Sequence, residues 1–216
     1  MKIISVILLL LCSLYALPTQ AQVSWGFKTG YTRAWERYNL ELPDNAEITV
    51  DRFHVSAMAY LPLNSWLRIG IEPGFAQRGA ACIPGWFPTF EGDTKLFLNY
   101  VDVPVMASAH LPLWKGRLEL FAKGGYGLSV LVKANEETIN FETGETLPKT
   151  KVPIGRGSRL NTIDTGFHGT GGIAAKFGPG QLLLESSVYA GIRNADRGTT
   201  SKNRSLKFSL GYMFHL

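Results

Sequence analysis

The sequence is short of cysteine, of long apolar runs and of charge of one sign, and each shortage excludes a class of protein. Cysteine occurs twice, at Cys12 and Cys82. Cys12 falls inside an N-terminal apolar run that reads as a removable leader, so the mature chain keeps one thiol and forms no internal disulfide. Charge is nearly balanced, with 22 Lys and Arg against 17 Asp and Glu and a formal net of +5. Losing Lys2 with the leader lowers that to about +4, too little to point to nucleic acid. Past the leader no apolar stretch approaches the roughly 20 residues of a spanning helix, which rules out a helical membrane protein. No Pro- or Gly-rich linker divides the chain, and about 195 mature residues suit one domain.

The leader itself has the parts of a secretory signal. Lys2 precedes a nearly unbroken apolar run from Ile3 to Leu17, and Thr19 and Ala21 occupy the small-residue positions before a cut between Ala21 and Gln22. Residues 1–21 are therefore expected to be a signal peptide and residues 22–216 the exported domain. Cys12 follows Leu9, Leu10 and Leu11, where lipid attachment needs a small residue just ahead of the cysteine.

What the mature chain has in abundance is period-two alternation, the mark of strands with two different faces. Trp25, Phe27 and Tyr31 alternate with Ser24, Gly26, Lys28 and Gly30. Phe53, Val55, Ala57, Ala59 and Leu61 alternate with His54, Ser56 and Tyr60, and Leu67, Ile69, Ile71 and Phe75 with Arg68, Gly70, Glu72, Gly74 and Arg78. The fourth strand sets Val101, Val103, Val105, Ala107, Ala109 and Leu111 against Tyr100, Asp102, Met106, Ser108 and His110. Four more two-faced segments follow, at 117–133, 163–177, 181–193 and 205–216.

Connection lengths alternate too. Short ones lie at 62–65, 112–116 and 178–181, and long ones at roughly 35–50, 79–95, 134–160 and 194–204. Three short turns on one side and four long loops on the other are the pattern of an up-and-down membrane barrel. Several segments reach the 9 to 11 residues that cross a bilayer when tilted, longer than common globular strands. Trp25, Trp66 and Trp114 fall by the short turns and Trp35, Tyr38 and Phe97 by the long loops, where interfacial girdles belong. The expected fold is all-β: an eight-stranded antiparallel transmembrane barrel with three periplasmic turns and four extracellular loops. A soluble periplasmic ligand-binding barrel, with its apolar faces inside, is the alternative. Pro104 strains the closed-barrel reading, because a closed sheet has no edge strand to excuse a missing donor; a local bulge or a bridging water is the expected accommodation.

Some short motifs resemble a family. "YVDVPV" at 100–105 is similar to the Tyr-x-acid-x-Pro strand of the PorT-like outer-membrane barrel proteins, small barrels in the manner of OmpA and OmpX. "IDTGFHGTGGIAAKF" at 163–177 resembles their Asp-x-Gly-x-x-x-Gly-x-Gly strand, and "SVYAGIRNA" at 187–195 their Tyr-x-x-Gly-x-x-Asn segment. The resemblance implies an outer-membrane barrel and, for PorT itself, a part in protein secretion. Leu216 departs from the usual terminal aromatic, although Tyr212 and Phe214 keep phase.

Eight strands enclose a space just wide enough for side chains to fill. The inward charges Arg68, Glu72, Asp102, Glu119, Lys123, Asp164, Lys176, Glu185 and Lys207 are of both signs and are expected to pair into a polar plug, not an ion path. The rival of another class is a lipid-A-modifying hydrolase, because His54 stands two residues before Ser56. Parity turns both inward, away from a lipid substrate. His54, His110 and His168 lie on separate strands with no local pair at ligand spacing, so neither a metal nor a cofactor is expected. Basic loop residues, including Lys149, Lys151, Arg197, Lys202 and Arg204, could meet lipopolysaccharide phosphates, and Trp86, Phe87 and Phe90 make an aromatic loop suited to a partner or to a lid. The expected role is non-enzymatic: a monomeric structural or interaction protein of the outer membrane, surrounded by lipid and lipopolysaccharide and linked by resemblance to an envelope or secretion-machinery partner.

Overall fold

The computed structural model describes residues 23–37, 49–82, 92–140, 143, 145–198 and 200–215. The expected leader and the aromatic loop with Trp86, Phe87 and Phe90 lie outside them, as does Tyr38. The described chain is a single antiparallel sheet: β1 (Ser24–Arg37), β2 (Val50–Pro62), β3 (Leu67–Ile71), β4 (Gly74–Cys82), β5 (Gly92–Leu113), β6 (Leu118–Asn140), β7 (Thr150–Lys151), β8 (Ile163–Phe177), β9 (Gly180–Asn194) and β10 (Lys202–His215). β3 and β4 are halves of one stave, since both pair with β2 and with β5 in a continuous register. β1 pairs with β10, so the sheet closes into a ring of 8 strands, with the two-residue β7 added on the loop extension of β6.

Two prolines explain the broken stave. Glu72 N–H donates to the Pro104 carbonyl at 3.1 Å, and Ala57 N–H to the Pro73 carbonyl at 2.8 Å. Neither proline can return the bond, so the ladder lapses on both sides of Glu72. Pro104 needs no bulge: pairing runs without a shift from Asp102 to Val105 on both neighbours. The bulge in β5–β6 comes higher, where Asn99 faces Lys133 but Tyr100 faces Leu131, leaving Val132 as the extra residue. That insertion reverses the alternation, so Lys133 is exposed and not on the inner face where period two alone puts it.

The strands outrun their alternation at the long-loop end. β6 continues to Asn140, so Glu136 and Glu137 are paired strand residues and not the start of a loop, and Cys82 closes β4 opposite Thr94 instead of lying in a loop. Once the ladder leaves the two-environment zone, nothing requires one face to stay apolar. Phe97 also departs from expectation: it is 7% exposed, packed with Ala34, Val50 and Ala81 beneath the Arg52 guanidinium, and so belongs to no outer girdle.

Around the ring the outward positions are apolar. Phe27, Phe53, Ile69, Val103, Val105, Tyr126, Leu128, Phe167, Leu184, Val188, Phe208 and Leu210 are all exposed. From Val101 to Leu111 the outward face of β5 covers about 34 Å of strand, or about 25 Å of height at a tilt near 40°. At its short-turn margin Trp25 stacks on Phe214 with centroids 4.5 Å apart, and Tyr212 O–H donates to the Phe177 carbonyl at 2.7 Å. Trp66 and Trp114 are exposed at the same end. The inside is polar and closely filled, the reverse of a water-soluble barrel.

Candidate functional site

The lumen holds the concentrated chemistry, in layers. Lys28, Glu72, Lys123 and Glu185 form a closed square of alternating charge on β1, the β3–β4 stave, β6 and β9, every second stave of the ring. Lys28 Nζ lies 2.6 Å from Glu72 Oε2 and also bonds Glu185, while Lys123 Nζ lies 2.7 Å from Glu72 Oε1 and 2.8 Å from Glu185 Oε2. Tyr60 O–H adds a bond of 2.5 Å to Glu72 Oε1. All four ionic side chains are buried, so each charge is neutralised by contact with two of the opposite sign.

On the short-turn side the square rests on an apolar layer of Met58, Tyr60, Met106, Phe121, Ala174, Leu183 and Met213. Close approach makes glycine necessary there: a Cβ on Gly172 would lie 2.5 Å from Phe121 Cζ. Below that layer His110, Glu119 and Arg68 meet at the mouth, His110 Nδ1 at 3.1 Å and Arg68 Nη2 at 3.4 Å from Glu119 Oε2.

On the long-loop side a second cluster centres on Arg78, which has no exposed surface. Its Nη2 donates to Asp102 Oδ2 at 2.5 Å and its Nη1 to Ser129 Oγ at 3.1 Å, with Asp164 Oδ2 at 3.8 Å. The guanidinium lies over the Tyr189 ring at 3.8 Å and the Tyr100 ring at 4.9 Å. Gly166 lets Tyr189 in, since a Cβ there would stand 2.7 Å from the ring. Asn203 donates to Asp164 at 2.9 Å and to Tyr100 at 3.1 Å. Above it Leu96, Leu98, Leu131, Ala134 and Leu160 close the column, with Val152 packed against them.

The structure thus brings Glu72, Lys123 and Glu185 into one network, Asp102, Asp164 and, at 3.7 Å from Asp102, Lys207 into another, and leaves Arg68 and Glu119 in a third. Lys176 joins none of them: it is exposed near the last short turn, so its place in the plug is corrected. Lys28 and Arg78, absent from the expected plug, are its two hubs. Their inward parity was legible, but nothing in one strand's pattern shows which inward charges share a level.

His54 does not serve Ser56. Its Nδ1 is bonded to Thr32 Oγ1 at 2.9 Å and its Nε2 to Ser209 Oγ at 2.8 Å, so both ring nitrogens are engaged. Sequence reasoning missed another arrangement: Ser108 Oγ is 2.8 Å from His110 Nε2, and His110 Nδ1 faces Glu119. This is the bond order of a nucleophile–base–acid relay. Ser108 has no exposed surface, however, and a substrate carbonyl cannot reach it. His168 lies tilted against Tyr189, with centroids 4.9 Å apart, and its Nε2 has no partner among the described residues. Among the described residues no group of three metal-ligating side chains converges.

No protein-family model matches the chain, and no curated protein matches it in sequence. The PorT-like resemblance therefore rests on its short motifs alone. Among solved structures the chain is similar to Neisserial surface protein A, at 12% identity over 89% of this chain and 97% of that one, with a TM-score of 0.47. Ail, the attachment invasion locus protein of Yersinia pestis, is similar at 13% identity over 89% and 99%, TM-score 0.44. The outer membrane protease OmpT from Escherichia coli is similar at 11% identity over 92% and 98%, TM-score 0.45.

Proposed function

We propose that the chain is an integral outer-membrane barrel whose lumen is a salt-bridged structural core, serving the envelope as a structural or interaction protein without chemistry of its own. The observation that carries this reading is the inversion of the closed sheet: valines and aromatics outside, interlocked ion pairs inside. Water would reverse that arrangement, whereas a hydrocarbon solvent requires both the apolar exterior and the absence of an open sheet edge. Ring closure within one chain also leaves no strand for a second copy to extend, consistent with a monomer. The first partner is then the surrounding lipid, lipopolysaccharide included. A link to secretion machinery rests on the motif resemblance.

Membrane fractionation tests the reading. The folded chain is expected in the outer-membrane fraction, resistant to carbonate extraction, and to migrate differently on gels before and after boiling. Recovery in the soluble periplasmic fraction would refute it.

A further inference from the structure

The outer wall carries charge in one place where its register concentrates cations. β1 and β10 pair so that Arg37 is opposite Lys202 and Trp35 opposite Arg204. The inward neighbours Glu36, Asn203 and Ser205 are buried, which turns Arg37, Lys202 and Arg204 to the outside. β9 brings Asn194 beside Lys202. Directly opposed like charges repel and cost stability unless an anion lies between them.

No acidic side chain among the described residues pairs with Arg37, Lys202 or Arg204. Among the described residues Arg204 donates one bond, Nη1 to the Gly191 carbonyl at 2.9 Å. Asp51 bounds the patch on β2, where it takes up Arg33 at 3.3 Å and the Tyr31 hydroxyl. On the far wall, at the corresponding margin of the apolar belt, Gln77 and Asn99 are bonded to each other at 3.1 Å and the exposed Lys133 faces Asn99, a cation set opposite an amide and not opposite another cation. The direct opposition of two cations, Arg37 and Lys202, is therefore a local feature.

Height decides what meets them. In the same columns Phe208, Val188 and Ile192 lie beneath, exposed and apolar. A group anchored by acyl chains against those residues would hold its head at the level of the basic cluster. Guanidinium groups bind phosphate oxygens in pairs, and Trp35 suits the interface between chain and head.

We infer that Arg37, Lys202 and Arg204 form a binding site on the barrel's outer wall for the phosphorylated headgroup of an anionic lipid in the leaflet at the long-loop end. The inference rests on the membrane reading above and adds a ligand class and a location to it.

The test uses the folded chain in nonionic micelles, titrated with lipid A bearing its phosphates, with the same lipid dephosphorylated, and with inorganic phosphate as competitor. Wild-type protein should bind the phosphorylated lipid at least tenfold more tightly than the dephosphorylated one. Replacing Arg37→Gln, Lys202→Gln and Arg204→Gln together should remove that preference, and Arg37→Gln alone should weaken it severalfold. Lys149→Gln with Lys151→Gln, which removes exposed charge at β7 and beside it, should leave it intact. Equal loss in this β7 variant, or none in the wall variant, overturns the site; competition by micromolar inorganic phosphate overturns the lipid assignment. A gel shift on boiling confirms that each variant is folded. Flotation with neutral phosphatidylcholine vesicles, which does not need the cations, fails only if the membrane reading itself fails.

Discussion

Lys28 and Lys123 stand on opposite walls of the barrel and hold the same two carboxylates, Glu72 and Glu185, between them. Removing one cation leaves both acids buried with half their neutralisation. Lys123→Met is expected to cost about 3–5 kcal/mol of unfolding free energy, the usual penalty for breaking a buried ionic network. Adding Glu185→Leu should recover part of that loss by restoring charge balance around the remaining Lys28–Glu72 pair. Equilibrium urea unfolding of the vesicle-inserted barrel checks this, and a loss below about 1 kcal/mol in the single variant would contradict the network's role.

Arg78 tests geometry apart from charge. Lysine at this position keeps the cation but cannot fork between Asp102 and Ser129 or lie flat against Tyr189. Arg78→Lys should therefore destabilise by about 1.5–3 kcal/mol, the scale of one charged hydrogen bond. Unfolding midpoints equal to wild type would show that charge alone matters.

The filled lumen predicts electrical silence. Apolar layers at Met58–Phe121–Met213 and Leu98–Leu131–Leu160 bracket the two buried networks around Lys28 and Arg78. Planar-bilayer recordings of the wild-type chain should show no sustained conductance steps, and ohmic steps would require a lumen that opens.

Neither Ser56 nor Ser108 should react. Ser56 lacks its histidine, and Ser108 lacks access. A fluorophosphonate probe applied to the folded barrel should label neither residue by peptide mass mapping; stoichiometric labelling of Ser108 would revive the hydrolase.

Which parts of this were legible in the sequence follows from what period two encodes. Val101 to Leu111 declared its outward face because each residue's face depends only on its own strand. The eight staves and their antiparallel order followed from the same pattern with the connection lengths. The layers did not, because a level in the lumen is set by the stagger between staves. Lys28 meets Glu72 and Glu185 through registers that no single strand displays. Bulges erase even the local signal: one extra residue at Val132 put Lys133 outside. Phe97 misled for a related reason, lying above the belt where the sheet's faces no longer separate lipid from lumen. Lys176 kept inward parity but sits at the turn, where parity ceases to mean burial.

The central claim is that alternate residues of the wall touch lipid and lumen. The most direct measurement is a cysteine scan in a Cys82→Ala background, with spin labels placed singly at 101, 102, 103, 105 and 106 of the vesicle-inserted chain. Collision rates with dissolved oxygen and with a polar nickel chelate are then compared. The account predicts high oxygen and low chelate collision at Val101, Val103 and Val105, with neither reagent effective at Asp102 and Met106. Uniform chelate access, or alternation of the opposite phase, would contradict it.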